Sequence, residues 1–248
     1  MGDRDGLDEV IRLVEERRRD RRLRAGRPAP FTIAVAGCVA VGKSTLAAAI
    51  AARLAGPPDR ARVEVVSGDG FLLPNVDLER RGLMARKGFP ETYDLAALCR
   101  VLAALGAGDG DVAVPRYSHE RYEVIDEVQV LDRPDVVVFE GLHLLHPAVA
   151  ATAFDLSIYV DADEAAIEAW YVERFAALCS AAADEPASIY RNFSGMTPAE
   201  IVALARHVWA TINAPNNRDN IAATRTRADV VVEKGADHAI GAVVVQAG

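Results

Sequence analysis

The sequence predicts an α/β fold with a mainly parallel sheet and helices on both of its faces. Three observations predict it. Short, strongly apolar runs recur along the 248 residues: FTIAVAG, RVEVVSGD, DVVVFEG, FDLSIYVDA and ADVVVEKG. Stretches with helical periodicity separate them. Strands this apolar need cover on both sides, which is the condition of a parallel sheet between helical layers. The first run leads straight into GCVAVGKST, a glycine-rich turn that opens a helix.

In order, residues 6–24 carry Leu7, Val10, Ile11 and Val14 at i, i+3, i+4, i+7 spacing and predict an amphipathic helix. Its end, RRRDRRLR, is expected to be a solvated helix end more than an anion patch, because positive charge suits a helix C-terminus. AGRPAP breaks that helix. The chain therefore divides into an N-terminal helix over 1–30 and a single domain over 31–248. FTIAVAG is the first strand, Lys43 to Leu54 an alanine-rich helix, and RVEVVSGD the second strand. A loop is expected from Gly70 to Thr92. Asp94 to Leu105 reads as a helix with Asp94 as N-cap. YEVIDEVQVL alternates like a strand or hairpin, and DVVVFEG is a buried strand ending in an acid. After FDLSIYVDA, Glu164 to Leu178 is helical and SAAADEPAS a mobile loop. Thr197 to Ile212 is a helix opened by the capping box TPAE, with proline in the first turn. ADVVVEKG and AIGAVVVQ are late strands.

Composition narrows the function. A formal charge of −8 argues against a general nucleic-acid partner. Cys38, Cys99 and Cys179 are scattered, which suggests neither a disulfide framework nor a zinc site, but reduced thiols in a cytoplasmic protein. The charged N-terminus does not read as a signal peptide, and no apolar run of about 18 residues predicts a membrane span. Of 28 basic residues only Lys43, Lys87 and Lys234 are lysines. In a chain so biased to arginine, each lysine marks a place where arginine does not serve.

Gly37, Gly42, Lys43 and Ser44 complete G-x-x-x-x-G-K-[ST] between a strand and a helix. The backbone of Gly37, Val39, Ala40, Val41, Gly42, Lys43, Ser44 and Thr45 is expected to cradle the phosphates of ATP. Lys43 adds a point charge at the outer phosphates, and the Ser44 hydroxyl suits Mg²⁺. Asp69 and Glu140 end their strands, where ligands of parallel sheets bind. Asp69 suits the base that accepts a hydroxyl proton, and Glu140 a Mg²⁺ contact. Base, metal and phosphate loop together imply phosphoryl transfer to an acceptor.

DGFLLPN, RGLMARKGFPETYD, VPRYSHERYEVI, EGLHLL, WYVERF, INAPNN and NIAATRTRADVVVEKGADH follow in that order. With the phosphate loop, this set over about residues 31–240 resembles the prokaryotic type I pantothenate kinases. The resemblance implies a P-loop kinase fold with a helical lid. It implies ATP- and Mg²⁺-dependent phosphorylation of pantothenate, the first step of coenzyme A synthesis. It also implies inhibition by coenzyme A or its thioesters, and a homodimer. Carried over by motif, Lys43 and Ser44 hold ATP and Mg²⁺, and Asp69 is the base. Tyr117 and His119 contact pantothenate and the inhibitor, and Tyr171 and Asn213 hydrogen-bond pantothenate. Arg174 lies over the transferring phosphoryl group, and Phe175 lines an apolar wall. Tyr171, Arg174 and Phe175 share one helix face by spacing. Read from residues alone, His119 could equally be a turn histidine, and Asn213 falls in a helix C-cap region. His143 stands where the family has Asn, bringing a group that can titrate near neutral pH. Leu178 stands where an aromatic is usual, and about 30 residues precede the first strand instead of a longer region. The alternatives are a P-loop kinase for another small hydroxyl compound, uridine- or glycerate-like, and a non-enzymatic nucleotide or coenzyme A sensor.

Overall fold

The computed structural model describes residues 3–24, 29–150, 153–182 and 188–246. A six-stranded sheet forms its centre, in the order β2-β5-β1-β6-β7-β8. The strands are β1 (Phe31–Gly37), β2 (Val63–Ser67), β5 (Val136–Gly141), β6 (Leu156–Ala162), β7 (Val230–Lys234) and β8 (Ile240–Val245). All pairs are parallel except β7 with β8. A separate two-stranded ladder pairs β3 (Asp111–Ser118) with β4 (Glu123–Asp132).

Strand alternation splits the core in two. Ile33, Val35, Val138, Ile158 and Val232 face one side and pack with residues of α1 (Asp3–Arg24), α2 (Lys43–Ala55) and α5 (Glu164–Ala181). Ala34, Ala36, Val137, Phe139 and Val231 face the other and meet α4 (Leu95–Ala107). Successive side chains of a strand point to opposite faces, so a strand buried on both must be apolar throughout. β1 is buried at every position. The expected double cover is therefore present. Among the described residues no helix is long and apolar enough to cross a membrane.

Most expected elements are found, with three differences. Residues 70–92 are not simply a loop: they hold α3 (Asn75–Arg80) and short 3₁₀ turns at Gly68–Phe71, Met84–Arg86 and Pro90–Thr92. VPRYS belongs to β3, whose alternation is interrupted by a bulge between Pro115 and Arg116. The helix begun by the capping box of Thr197 and Glu200 does not stop near Ile212. After α6 (Pro198–Val208) it runs through a wide π-type turn at Trp209–Asn213, a short α turn and a second π-type turn at Asn217–Ile221. Asn213 is thus inside a helical run, with φ −73° and ψ −44°, and is not a C-cap. Wide turns of this kind concentrate at functional sites. Asp94 caps α4 as expected, accepting from the Ala97 N–H.

The basic run of α1 also differs from expectation. Arg17, Arg19 and Arg22 are exposed, but Arg18 is buried and donates to Asp59 at 2.6 Å. Arg21 pairs with Asp155, which also accepts the Thr32 N–H at the start of β1. Partners 41 and 134 residues away turned a solvated helix end into a brace on the sheet. Of the broken and mobile stretches expected from sequence, residues 25–28 and 183–187 lie outside the described residues.

Candidate active site

The carboxyl ends of β2, β5 and β1 lie side by side, with Ser67 paired to Glu140 and Glu140 paired to Val35. Asp69 follows Ser67 in a 3₁₀ turn, its N–H donating to the Ser67 hydroxyl. The loop after β1 therefore faces both strand-end acids, because the register places them there. Gly37 has φ +144°, and a Cβ there would lie 2.4 Å from the Val160 carbonyl, so only glycine fits. Gly42 caps α2 with φ +94° and offers no side chain, which leaves the first-turn N–H groups without an intrahelical partner. A helix start of this form binds anions.

Lys43 is buried and donates to the Cys38 carbonyl at 2.7 Å. Burial pushes its pKa down, and the nearby Glu140, Cys38 and Asp69 oppose that shift. Burial also pushes the Cys38 thiol up to about 11, so it stays protonated. Tyr93 donates its hydroxyl to Asp69 Oδ1 at 3.1 Å.

Two cavities meet at this loop. One, of 720 Å³, runs along the start of α2 and is lined by Gly42, Thr45, Trp170, Lys234 and His238. The other, of 410 Å³, holds Asp69, Glu140, Tyr117, His119, Phe175 and Asn213. Tyr171 lines it as well. Ala40, Lys43, Ser44 and Arg174 line both. Every expected acceptor-side residue thus faces one space. Val39 also faces it, while Gly37 and Val41 line neither cavity and belong to the loop's frame.

The β3–β4 hairpin brings Tyr117 and His119 over the sheet. Gly70 lets it approach, since a Cβ there would lie 2.2 Å from the Pro115 carbonyl. Gln129 ties it to Glu64 and Val65 of β2. Phe175 packs against Tyr190 and Phe193 to build the apolar wall that Leu178 extends.

Sequence reasoning missed several residues here. Lys87 sits 4.0 Å above the Tyr122 ring and donates to Asn75 Oδ1 and the Tyr122 carbonyl. Lys234 donates to the Val41 carbonyl at 3.3 Å, and Trp170 stacks on His238 at 4.2 Å. The scarcity of lysine and the motifs that hold these residues were the available signals, and all three lysines line these cavities. His143 does not titrate near neutrality: burial pushes its pKa down to about 4, and Nε2 contacts the Gly88 carbonyl at 2.7 Å.

Residues 32–177 match the phosphoribulokinase/uridine kinase family. Over 228 residues the chain is 49% identical to a pantothenate kinase of Sorangium cellulosum, covering 88% of this chain and 74% of the relative. The chain belongs to the pantothenate kinase family. Other members compare similarly: one from Streptomyces coelicolor is 46% identical over 85% of this chain and 68% of its own. One from Rhizobium rhizogenes is 42% identical over 99% and 83%. Among solved structures, a candidate fructose transport system kinase from Silicibacter sp. TM1040 superposes with a TM-score of 0.72 at 29% identity, over 91% of this chain and 98% of that one. A D-glycerate 3-kinase from Cryptococcus neoformans shares the fold at 13% identity and a TM-score of 0.66, over 97% and 99%.

The residues present fit what such a kinase must hold. The uncapped start of α2 and the buried Lys43 suit a phosphate chain. The Ser44 hydroxyl and Glu140 line one cavity, and Mg²⁺ takes few protein ligands and keeps waters and phosphates. The described residues contain no cluster of three or more His, Cys, Asp or Glu that could hold a metal.

Proposed function

We propose that the protein transfers the γ-phosphoryl group of ATP to the primary hydroxyl of pantothenate, giving 4′-phosphopantothenate. The observation that carries this reading is the junction of the two cavities at Lys43 and Arg174, with Asp69 facing the acceptor side. ATP with Mg²⁺, when bound, supplies the activated phosphoryl group and spreads its charge. The chain's residues do the rest. Asp69 accepts the hydroxyl proton, held in place by Tyr93. Lys43 and Arg174 offset the charge that builds on the transferred group. Tyr171 and Asn213 hold the pantothenate hydroxyls and amide, and the Phe175 wall suits its gem-dimethyl group. Tyr117 and His119 close the polar side. Ser44 and Glu140 hold the metal.

Lys87 is assigned to the pantothenate carboxylate, the remaining charge to be matched. Burial pushes its pKa down to about 8, against the pull of Glu123 and Asp69. Below that pH it is a cation, and above it the charge is lost. The KM for pantothenate is therefore expected to rise as pH passes upward through about 8, approaching tenfold per pH unit well above it. KM for ATP should not follow, and Lys87→Met should flatten the rise. A wild-type profile flat from pH 7 to 9.5 would remove Lys87 from this role.

Coenzyme A and its thioesters are proposed to compete with ATP, and the active form is proposed to be a cytoplasmic homodimer, as in the resembled family. The decisive experiment incubates the protein with Mg-ATP and, separately, pantothenate, uridine, glycerate and sugars, with and without coenzyme A. Acceptor-dependent ADP release with pantothenate alone supports the reading. Release only with another acceptor would assign a different hydroxyl substrate, the alternative that His143 and Leu178 favour. No release with any acceptor, nucleotide still bound, would make the protein a sensor.

A further inference from the structure

The Gly88 carbonyl is an unusual acceptor. It takes two side-chain contacts at once, from His143 Nε2 at 2.7 Å and Asn216 Nδ2 at 2.7 Å. Its residue has φ +101°, and its own N–H donates to the Thr92 hydroxyl at 3.1 Å. The peptide around Gly88 is thus pinned from both ends. Three segments meet on that one oxygen: the turn after residue 86, the residues after β5, and the helical run after α6. Each carries an acceptor-side residue close by. Lys87 precedes Gly88 in the turn. Asn213 lies three residues before Asn216, and both line the acceptor cavity. The His143 ring meets the Tyr93 ring edge-on at 5.1 Å, and Tyr93 holds Asp69.

We propose that His143 is a positioning residue for the acceptor: by donating to the Gly88 carbonyl beside Asn216, it fixes the separation of Lys87 from Asn213 and so sets the width of the acceptor cavity. The inference rests on the pantothenate reading above. His143 is 3% exposed and does not line the cavity, so it acts through the groups it holds. A carbonyl can only accept, so Nε2 carries the proton. Nδ1 is then a buried lone pair with no partner among the described residues. That is costly, and a residue kept only for packing would not bring such a group inside. Reach also matters. An asparagine amide nitrogen lies about where Nδ1 does, one bond short of Nε2, whereas a glutamine amide reaches the Nε2 position. An asparagine at position 143 could not make this contact without backbone movement.

Steady-state kinetics of His143→Gln, His143→Asn and His143→Ala, with thermal unfolding of each, test the proposal. His143→Ala is expected to raise the pantothenate KM roughly tenfold, the effect of losing one buried hydrogen bond. Its kcat and ATP KM should stay within about twofold. His143→Gln should restore the pantothenate KM to near wild type, while His143→Asn should resemble Ala. Equal rises in both KM values, an unchanged pantothenate KM, or a Gln variant no better than Asn would overturn it. If Ala does not fold, the Gln–Asn comparison decides alone. A wild type that ignores pantothenate but uses another acceptor defeats the functional reading only, and the variants are then scored on that acceptor. A wild type with no acceptor overturns both.

Discussion

Asp69→Asn is expected to lower kcat by about 10³-fold, within the range for loss of a positioned general base, while ATP binding stays within about twofold. The substitution is nearly isosteric. The Ser67 hydroxyl would still receive the backbone N–H, and Tyr93 could still donate to the amide oxygen. What disappears is a group that can take a proton. Asp69 lies on the acceptor side and does not line the larger cavity along α2, so nucleotide affinity should be spared. Turnover with pantothenate and ADP binding by calorimetry, run on the same preparation, check this. If nucleotide binding is lost along with turnover, Asp69 is a structural residue of the loop and not the base.

Lys43→Met should be as severe for turnover, by about 10³-fold, because the charge nearest the outer phosphates is lost. Its effect on stability should run the other way. In the protein without nucleotide the ammonium is buried against one carbonyl, and burial disfavours its charged form. Methionine keeps most of the apolar stem and removes a charge that is costly to bury. The melting temperature without nucleotide is therefore expected to hold or rise, and the stabilisation by added ATP to shrink. A fall of several degrees without nucleotide would show that Lys43 braces the loop through Cys38 more than it awaits phosphate.

The two residues differ in how far the sequence reveals them. Lys43 is fixed by a local rule, a glycine-rich turn between a strand and a helix. Asp69 and Glu140 follow from strand ends in a parallel sheet. The double-sided cover, the Thr197 capping box and the Asp94 cap are local in the same sense. Other features depend on contacts distant in sequence. Arg18 and Arg21 looked solvated because Asp59 and Asp155 are far along the chain. Asn213 looked like a helix end because nothing in INAPNN announces a helix that widens and continues. β3 was hidden by its bulge at Pro115. His143 looked titratable because its burial comes from Tyr93, Gly88 and the loop around them. Grouping Tyr117, His119, Tyr171 and Asn213 in one space came from the family resemblance, and periodicity alone would not have produced it.

Ala40, Lys43, Ser44 and Arg174 form a wall common to both cavities, and that has a consequence for bisubstrate compounds. Two ligands that fill the cavities separately each lose their own freedom of motion. One molecule threaded past Arg174 loses it once, and its second half meets its cavity at a millimolar effective concentration when the linker fits the span. A nucleotide joined to a pantothenate-like arm would gain roughly 10²- to 10⁴-fold over either half. The length of the linker that gives the tightest compound would measure, in solution, the distance across which the phosphoryl group has to move.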